Sequence, residues 1–232
     1  MGIKNKFDIS AYLVVGSENT LNRPVETIVE AAIEAGFTCV QIRSKTASAR
    51  ELIDCVEKSA EVIAKLNKSN EVTLLVDDRL DVVLAARMKG IKVDGIHVGQ
   101  SDIPVDVCRK FLGNEAIIGL SARTNDLIEY VKTTDISNID YFGAGPLHQT
   151  ETKPEAGLLD DGTMITRTFE ELSELAKISK LPVVVGGGVK VNDIPALART
   201  GVAGFFVVSA VAGAENPYLA AKELVDCWKA CH

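Results

Sequence analysis

Apolar residues recur along this chain in two alternating rhythms. Short unbroken runs give way to longer stretches in which they return every third or fourth position. The first rhythm suits strands covered on both faces, and the second suits helices buried on one. Strands are predicted at 12–15, 38–43, 72–76, 94–98, 116–120, from Tyr141 onward, at 181–185 and at 204–208. Helices are predicted between them. The first, 22–36, has Pro24 in its first turn, Val25, Ile28, Val29, Ala32 and Ile33 on one face, and a terminal glycine. Ser48 opens the second with a capping box to Glu51. The third carries Leu80, Val83 and Leu84, the fourth follows Pro104, and Thr124 is expected to cap the fifth. The last three cover 169–178, a stretch from near Asn192, and 217–228. Eight strand–helix units without a linker or composition shift predict an α/β fold, a single (β/α)8 TIM barrel in one domain over 1–232, with the barrel at about 11–230. A doubly wound open sheet is the competing architecture.

In such a barrel the C-terminal ends of the strands converge on one rim, so residues far apart in sequence can be pooled. The sixth strand runs out through Gly143, Gly145 and Pro146 into Thr150, Thr152 and Lys153. Backbone N–H groups, hydroxyls and a cation in one small volume are what a phosphate requires, although an ordinary turn and solvated loop would read the same way. After the second strand come Gln41, Arg43 and Lys45, whose spacing of two puts them on one face. Two cations so placed can clamp an anion. After the third come Asp77 and Asp78, and after the fourth Gly99-Gln100-Ser101-Asp102. Carboxylates from neighbouring strand ends can share a hard cation such as Mg²⁺. Helix capping by Asp77 and turn-making by Asp102 are the structural alternatives.

Ser121 and Arg123 follow the fifth strand. Gly186-Gly187-Gly188 ends the seventh, where missing side chains let a ligand approach the backbone, and Val208-Ser209 ends the eighth. Loops after strands seven and eight form the recurrent phosphate site of this fold. His97 reads as a hydrogen-bonded core residue, and neither a Ser/His/Asp set nor His/Cys metal spacing is visible. The long segment 154–168 reads as a flap or as surface decoration.

Charge and cysteine usage narrow the picture. With 25 basic against 32 acidic residues and a net charge of −7, the chain lacks the basic surface that nucleic acid or acidic membrane would need. An anionic ligand must be met by a local cationic cluster. Five cysteines, odd in number and without a CxxC pair, are expected as reduced, mostly buried thiols of a cytoplasmic protein. The first residues lack an apolar export segment, and no run approaches the roughly 18 apolar residues of a membrane span.

The ordered set Gln-x-Arg-x-Lys at 41–45, acidic pair at 77–78, Gly-Gln-x-Asp at 99–102, Ser121, Gly-Pro at 145–146, Thr-x-Thr-Lys at 150–153, the glycine run and Val208-Ser209 resembles the thiamine phosphate synthase family over nearly the whole chain. That family joins hydroxymethylpyrimidine diphosphate to thiazole phosphate and releases diphosphate. The resemblance implies that Gln41, with Asp77 beside it, holds the pyrimidine and that Arg43, Lys45 and Lys153 bind diphosphate. It places Mg²⁺ on Asp78 and Asp102, and has Ser121 donate to the pyrimidine diphosphate. Thr150, Thr152, Gly187, Gly188, Val208 and Ser209 would hold the thiazole phosphate. Lys45, Ser121 and Lys153 are the expected catalytic residues, the partners are small molecules, and a homodimer is implied. Three features depart from the pattern: Asp77 where Asn is usual, Arg123 where His is common, and the length of 154–168. A thiazole phosphate tautomerase-like isomerase and a non-catalytic phosphate-ligand sensor are the alternatives.

Overall fold

A computed structural model of the chain describes residues 7–122, 125–150, 157–159 and 162–232. Eight parallel strands follow one another around a closed barrel. They are β1 (Ala11–Val15), β2 (Cys39–Ile42), β3 (Thr73–Asp77), β4 (Gly95–Val98), β5 (Ile117–Ser121), β6 (Tyr141–Ala144), β7 (Val183–Val185) and β8 (Gly204–Val207). Closure is made by β8 returning to β1, with Tyr12 in register with Phe206. The outer helices are α1 (Val25–Ala35), α2 (Ala49–Lys65), α3 (Leu80–Met88), α4 (Val105–Leu112), α5 (Leu127–Thr133), α6 (Phe169–Ile178), α7 (Ile194–Arg199), α8 (Ser209–Ala212) and α9 (Pro217–Ala230).

Strand alternation divides the core in two. Leu13, Val40, Leu74, Ile96, Ile118, Phe142, Val185 and Phe205 point outward and pack under the helices. Tyr12, Cys39, Leu75, Ile117, Tyr141 and Val184 point inward and fill the barrel. Small inner residues make the filling possible. A Cβ on Gly186 would lie 2.2 Å from the Phe206 ring, so the eighth strand's aromatic occupies the seventh strand's missing side chain.

The predicted elements lie within a few residues of those observed, and the Ser48–Glu51 capping box is present. Two differences carry a reason. Thr124 lies outside the described residues, and the residue preceding α5 is Asp126, in the left-handed region at φ 53° without a side-chain cap bond. The one-turn helix α8 was not predicted, because four residues are too few to display a helical period.

Candidate active site

The strand ends enclose a cavity of about 580 Å³ at the C-terminal rim. Each described residue singled out from the sequence lines it: Gln41, Arg43, Lys45, Asp77, Asp78, Asp102, Ser121, Thr150, Gly187, Gly188, Val208 and Ser209. Thr152, Lys153 and Arg123 lie outside the described residues, as do 154–156 and 160–161 of the long segment. Of that segment, Gly157, Leu158 and Leu159 line the cavity, and Leu158 bridges to Met164. Residues 157–159 therefore form part of the cavity wall.

The cations and carboxylates of the second, third and fourth loops interlock. Arg43 Nε lies 3.1 Å from Asp77 Oδ2, Lys45 Nζ lies 3.8 Å from the same oxygen, and Lys45 also bonds Asp78. Asp77 accepts from the Gln41 amide on its other oxygen. It caps no helix, so the capping alternative does not hold for it. Asp102 does make a turn, accepting from the Gly99 N–H at 2.8 Å. Its carboxyl also interacts with that of Asp78, which lines the same cavity.

Crowded acids in a partly dry cavity resist ionising together. Burial, reinforced by the neighbouring Asp78 charge, pushes Asp77 up to about 7 against the pull of Arg43 and Lys45. Burial and the Asp78 carboxylate raise Asp102, with the Gly99 N–H opposing. Burial also works against the charge of Asp78, but its bonds to Lys45 and Asp102 prevail and hold it below the usual range. Lys45, likewise disfavoured by burial, is raised on balance by Asp78. Asp78 sits in the left-handed region at φ 58°, an uncommon conformation for a residue with a side chain, and its N–H is held by the His97 carbonyl at 2.8 Å.

Mg²⁺ commonly takes one or two protein carboxylates and completes its shell with water and substrate phosphates. The facing pair Asp78 and Asp102 fits that habit. Among the described residues, no group of three or more His, Cys, Asp or Glu side chains is arranged to hold a metal alone.

On the far side of the cavity the glycine run has a packing use beside the expected one. A Cβ on Gly187 would lie 2.6 Å from Pro146, and one on Gly188 would lie 2.9 Å from His148. Both glycines have positive φ, 83° and 72°, and the β6 loop lies against them, with His148 N–H bonded to the Gly187 carbonyl at 2.9 Å. Their missing side chains make room for the neighbouring loop as well as facing the cavity.

Residues 11–211 match the family model described as thiamine monophosphate synthase. The chain belongs to that family. It is 38% identical over 218 residues to the thiamine-phosphate synthase of Corynebacterium efficiens, covering 94% of each chain. It is 34% identical to that of Methanobrevibacter smithii, over 97% of this chain and 98% of the relative. Among solved structures it resembles a thiamine phosphate pyrophosphorylase from Pyrococcus furiosus, with a TM-score of 0.77 and 28% identity over 96% of both chains. As a thiamine monophosphate synthase family member it is an enzyme, a transferase.

Sequence reasoning missed Glu18, Gly16 and Tyr12 at this thiamine monophosphate synthase family site, and it named Gln100 and His97 without giving either a role there. Glu18, in a short turn after β1, accepts from Ser44 Oγ, from the Lys45 N–H at 3.0 Å and from Thr46 Oγ1 at 3.1 Å. It thereby fixes the loop that carries Lys45. Gly16 lets that loop approach, since a Cβ there would lie 1.8 Å from the Arg43 carbonyl oxygen. Gln100 donates to the Ser121 carbonyl at 2.6 Å and to Tyr130 Oη at 2.8 Å, tying the fourth loop to the fifth. His97 is hydrogen-bonded as expected, but it lines the cavity, as does Tyr12.

Proposed function

We propose that this enzyme transfers the hydroxymethylpyrimidine group from its diphosphate to thiazole phosphate, forming thiamine phosphate and releasing diphosphate, with Mg²⁺ required. The observation that carries the reading is the rim cluster. Two cations and two facing carboxylates, drawn from three successive loops, converge on one cavity in a chain of this family. Mg²⁺, when held by Asp78 and Asp102, would supply positive charge against the departing diphosphate.

The chain's own groups account for the rest. Arg43 and Lys45, which line the cavity, and Lys153, assigned by family resemblance, bind the diphosphate and favour the charge that develops on it. In the free protein Arg43 and Lys45 are engaged by Asp77 and Asp78, so ligand charge competes with carboxylates already present. Gln41 and Asp77 hold the pyrimidine side. Thr150, Gly187, Gly188, Val208 and Ser209 line the opposite wall, and to them, with Thr152 by family resemblance, we assign the thiazole phosphate, held so that its ring nitrogen reaches the reacting methylene. Holding two substrates in line removes much of the entropic barrier to their meeting. An aminopyrimidine methylene can carry positive charge as the diphosphate leaves, so no protein nucleophile is needed. All five cysteines are unpaired, which supports placing the enzyme in the reducing cytoplasm.

The test is diphosphate release with both substrates present, in Mg²⁺ and then in EDTA. Release that requires both substrates and the metal, with thiamine phosphate formed, is the expected outcome. Isomerisation of thiazole phosphate without any diphosphate release would overturn the reading.

A further inference from the structure

Six polar side chains cross the inside of the barrel in one unbroken file. Asp77 accepts from Gln41 Nε2, and Gln41 Oε1 accepts from Tyr12 Oη at 2.5 Å. The Tyr12 and Tyr141 hydroxyls meet at 2.9 Å, Tyr141 Oη lies 2.8 Å from His97 Nδ1, and His97 Nε2 lies 2.9 Å from Ser121 Oγ. Both tyrosines are fully buried, and burial raises them far above the ordinary phenol value, so each carries its single proton.

That single proton sets the direction of the file. Tyr12 gives its proton to Gln41, so toward Tyr141 it can only accept, and Tyr141 donates. With its own proton committed, Tyr141 accepts from His97, whose Nδ1 therefore bears hydrogen. A neutral imidazole protonated at Nδ1 has a bare Nε2. Toward a neutral His97, Ser121 then gives its hydroxyl proton inward to Nε2. The far end is anchored by Asp77, whose oxygens accept from Gln41 and from Arg43 Nε. Gly119 keeps the central junction open, since a Cβ there would lie 2.1 Å from Tyr141 Cζ and 2.5 Å from His97 Nδ1.

We propose that this file makes Ser121 a hydrogen-bond acceptor toward the cavity, with His97, Tyr141 and Tyr12 as the positioning residues that hold it so. The group Ser121 meets is a ligand N–H, of the kind an amino-substituted heteroaromatic ring carries, and not a phosphate oxygen. This reverses the donor role that the sequence suggested for Ser121. Naming the ring as the substrate's aminopyrimidine rests on the proposed function; the direction of the file does not.

Two measurements on the full chain test it. In ¹⁵N-histidine-labelled protein at pH 8, with the His97 signals assigned by their loss in His97→Gln, the expected spectrum is a neutral ring protonated at Nδ1 and bare at Nε2. A ring protonated at Nε2, alone or together with Nδ1, overturns the proposal whether or not the enzyme turns over. The second compares wild type with Ser121→Ala by calorimetric binding of hydroxymethylpyrimidine diphosphate, its deamino analogue and inorganic diphosphate. One lost hydrogen bond should weaken the amino-bearing ligand about five- to tenfold and leave the other two within about twofold. An equal loss for inorganic diphosphate overturns the proposal. If the pyrimidine diphosphate does not bind wild type at all, the functional reading fails, and the histidine spectrum still decides the direction of the file.

Discussion

The floor and the rim of this barrel handle buried carboxylates in opposite ways. On the floor, Asp94 precedes β4 and accepts the Leu74 N–H at 2.7 Å, with Lys92 at 2.6 Å as its counter-charge. Asp140 precedes β6 and repeats the arrangement, accepting the Ile118 N–H at 2.8 Å with Arg109 at 2.6 Å. Each floor acid is thus matched by one cation and one strand N–H. On the rim, Asp77, Asp78 and Asp102 crowd together with Arg43 and Lys45, and two of the three acids are pushed upward. Among the described residues, the two floor acids each have their own cation, whereas the rim gathers three carboxylates around two cations. Matched sets of the floor kind serve the fold. Surplus charge, held by rigid strands, marks where something else must arrive.

That contrast can be broken from either end. Arg109 is 9% exposed and also donates to the carbonyls of Gly113, Ala116 and Asn138. Its removal in Arg109→Ala takes the Arg109 counter-charge from the buried Asp140, which should cost about 3–5 kcal/mol in urea unfolding. The same variant should keep its substrate KM near the wild-type value. On the rim the readouts should exchange. Asp102→Ala should lower kcat by roughly 10²–10³-fold, with a thermal midpoint within a few degrees of wild type. A rim variant that unfolds, or a floor variant that loses turnover while staying folded, would collapse the distinction.

Asp77 gives a finer test through pH. An acid raised by folding, here from 3.8 to about 7, favours the folded state while it is protonated in that state. Its contribution is present below the ordinary carboxylate value and is lost as pH climbs through the folded one. Wild type should therefore lose stability relative to Asp77→Asn between about pH 4 and pH 7, and the difference should be flat above. Urea titrations across that range read it directly. A difference that grows in the opposite direction would mean that Arg43 and Lys45 outweigh burial.

The smallest effect concerns Glu18, which touches no proposed ligand but holds the Lys45 loop by three hydrogen bonds. Glu18→Ala should lower stability by about 1 kcal/mol and raise the KM for the diphosphate substrate more than it lowers kcat. An unchanged KM would mean that the loop is held by Lys45 and Asp78 alone.

Much of this was legible in the chain because both its rhythms are local. Continuous apolar runs gave the strands, and recurring apolar positions gave the helical faces. Once the barrel was inferred, each strand's C-terminal residues could be assigned to one rim, which is why Gln41, Asp78, Asp102 and Ser121 were found together. The interior file was not legible. Tyr12 and Tyr141 are 129 positions apart and meet only because the strands close on themselves. Each, read singly, is an aromatic in a strand, and His97 reads as a satisfied core residue. The glycine run was legible only in part. Gly187 and Gly188 do line the cavity, but nothing local shows that Pro146 and His148 also pack where their side chains would be.

The divided core has a consequence for how such a protein can change over time. Most of its buried apolar residues lie between strands and helices, and a smaller set fills the barrel. Alternation along every strand keeps the two sets on opposite faces of one backbone. Substitutions on the inner face can therefore redirect hydrogen bonds and reshape the cavity while the outer shell continues to hold the fold. A lineage carrying this barrel can explore new chemistry from the inside without first having to become more stable.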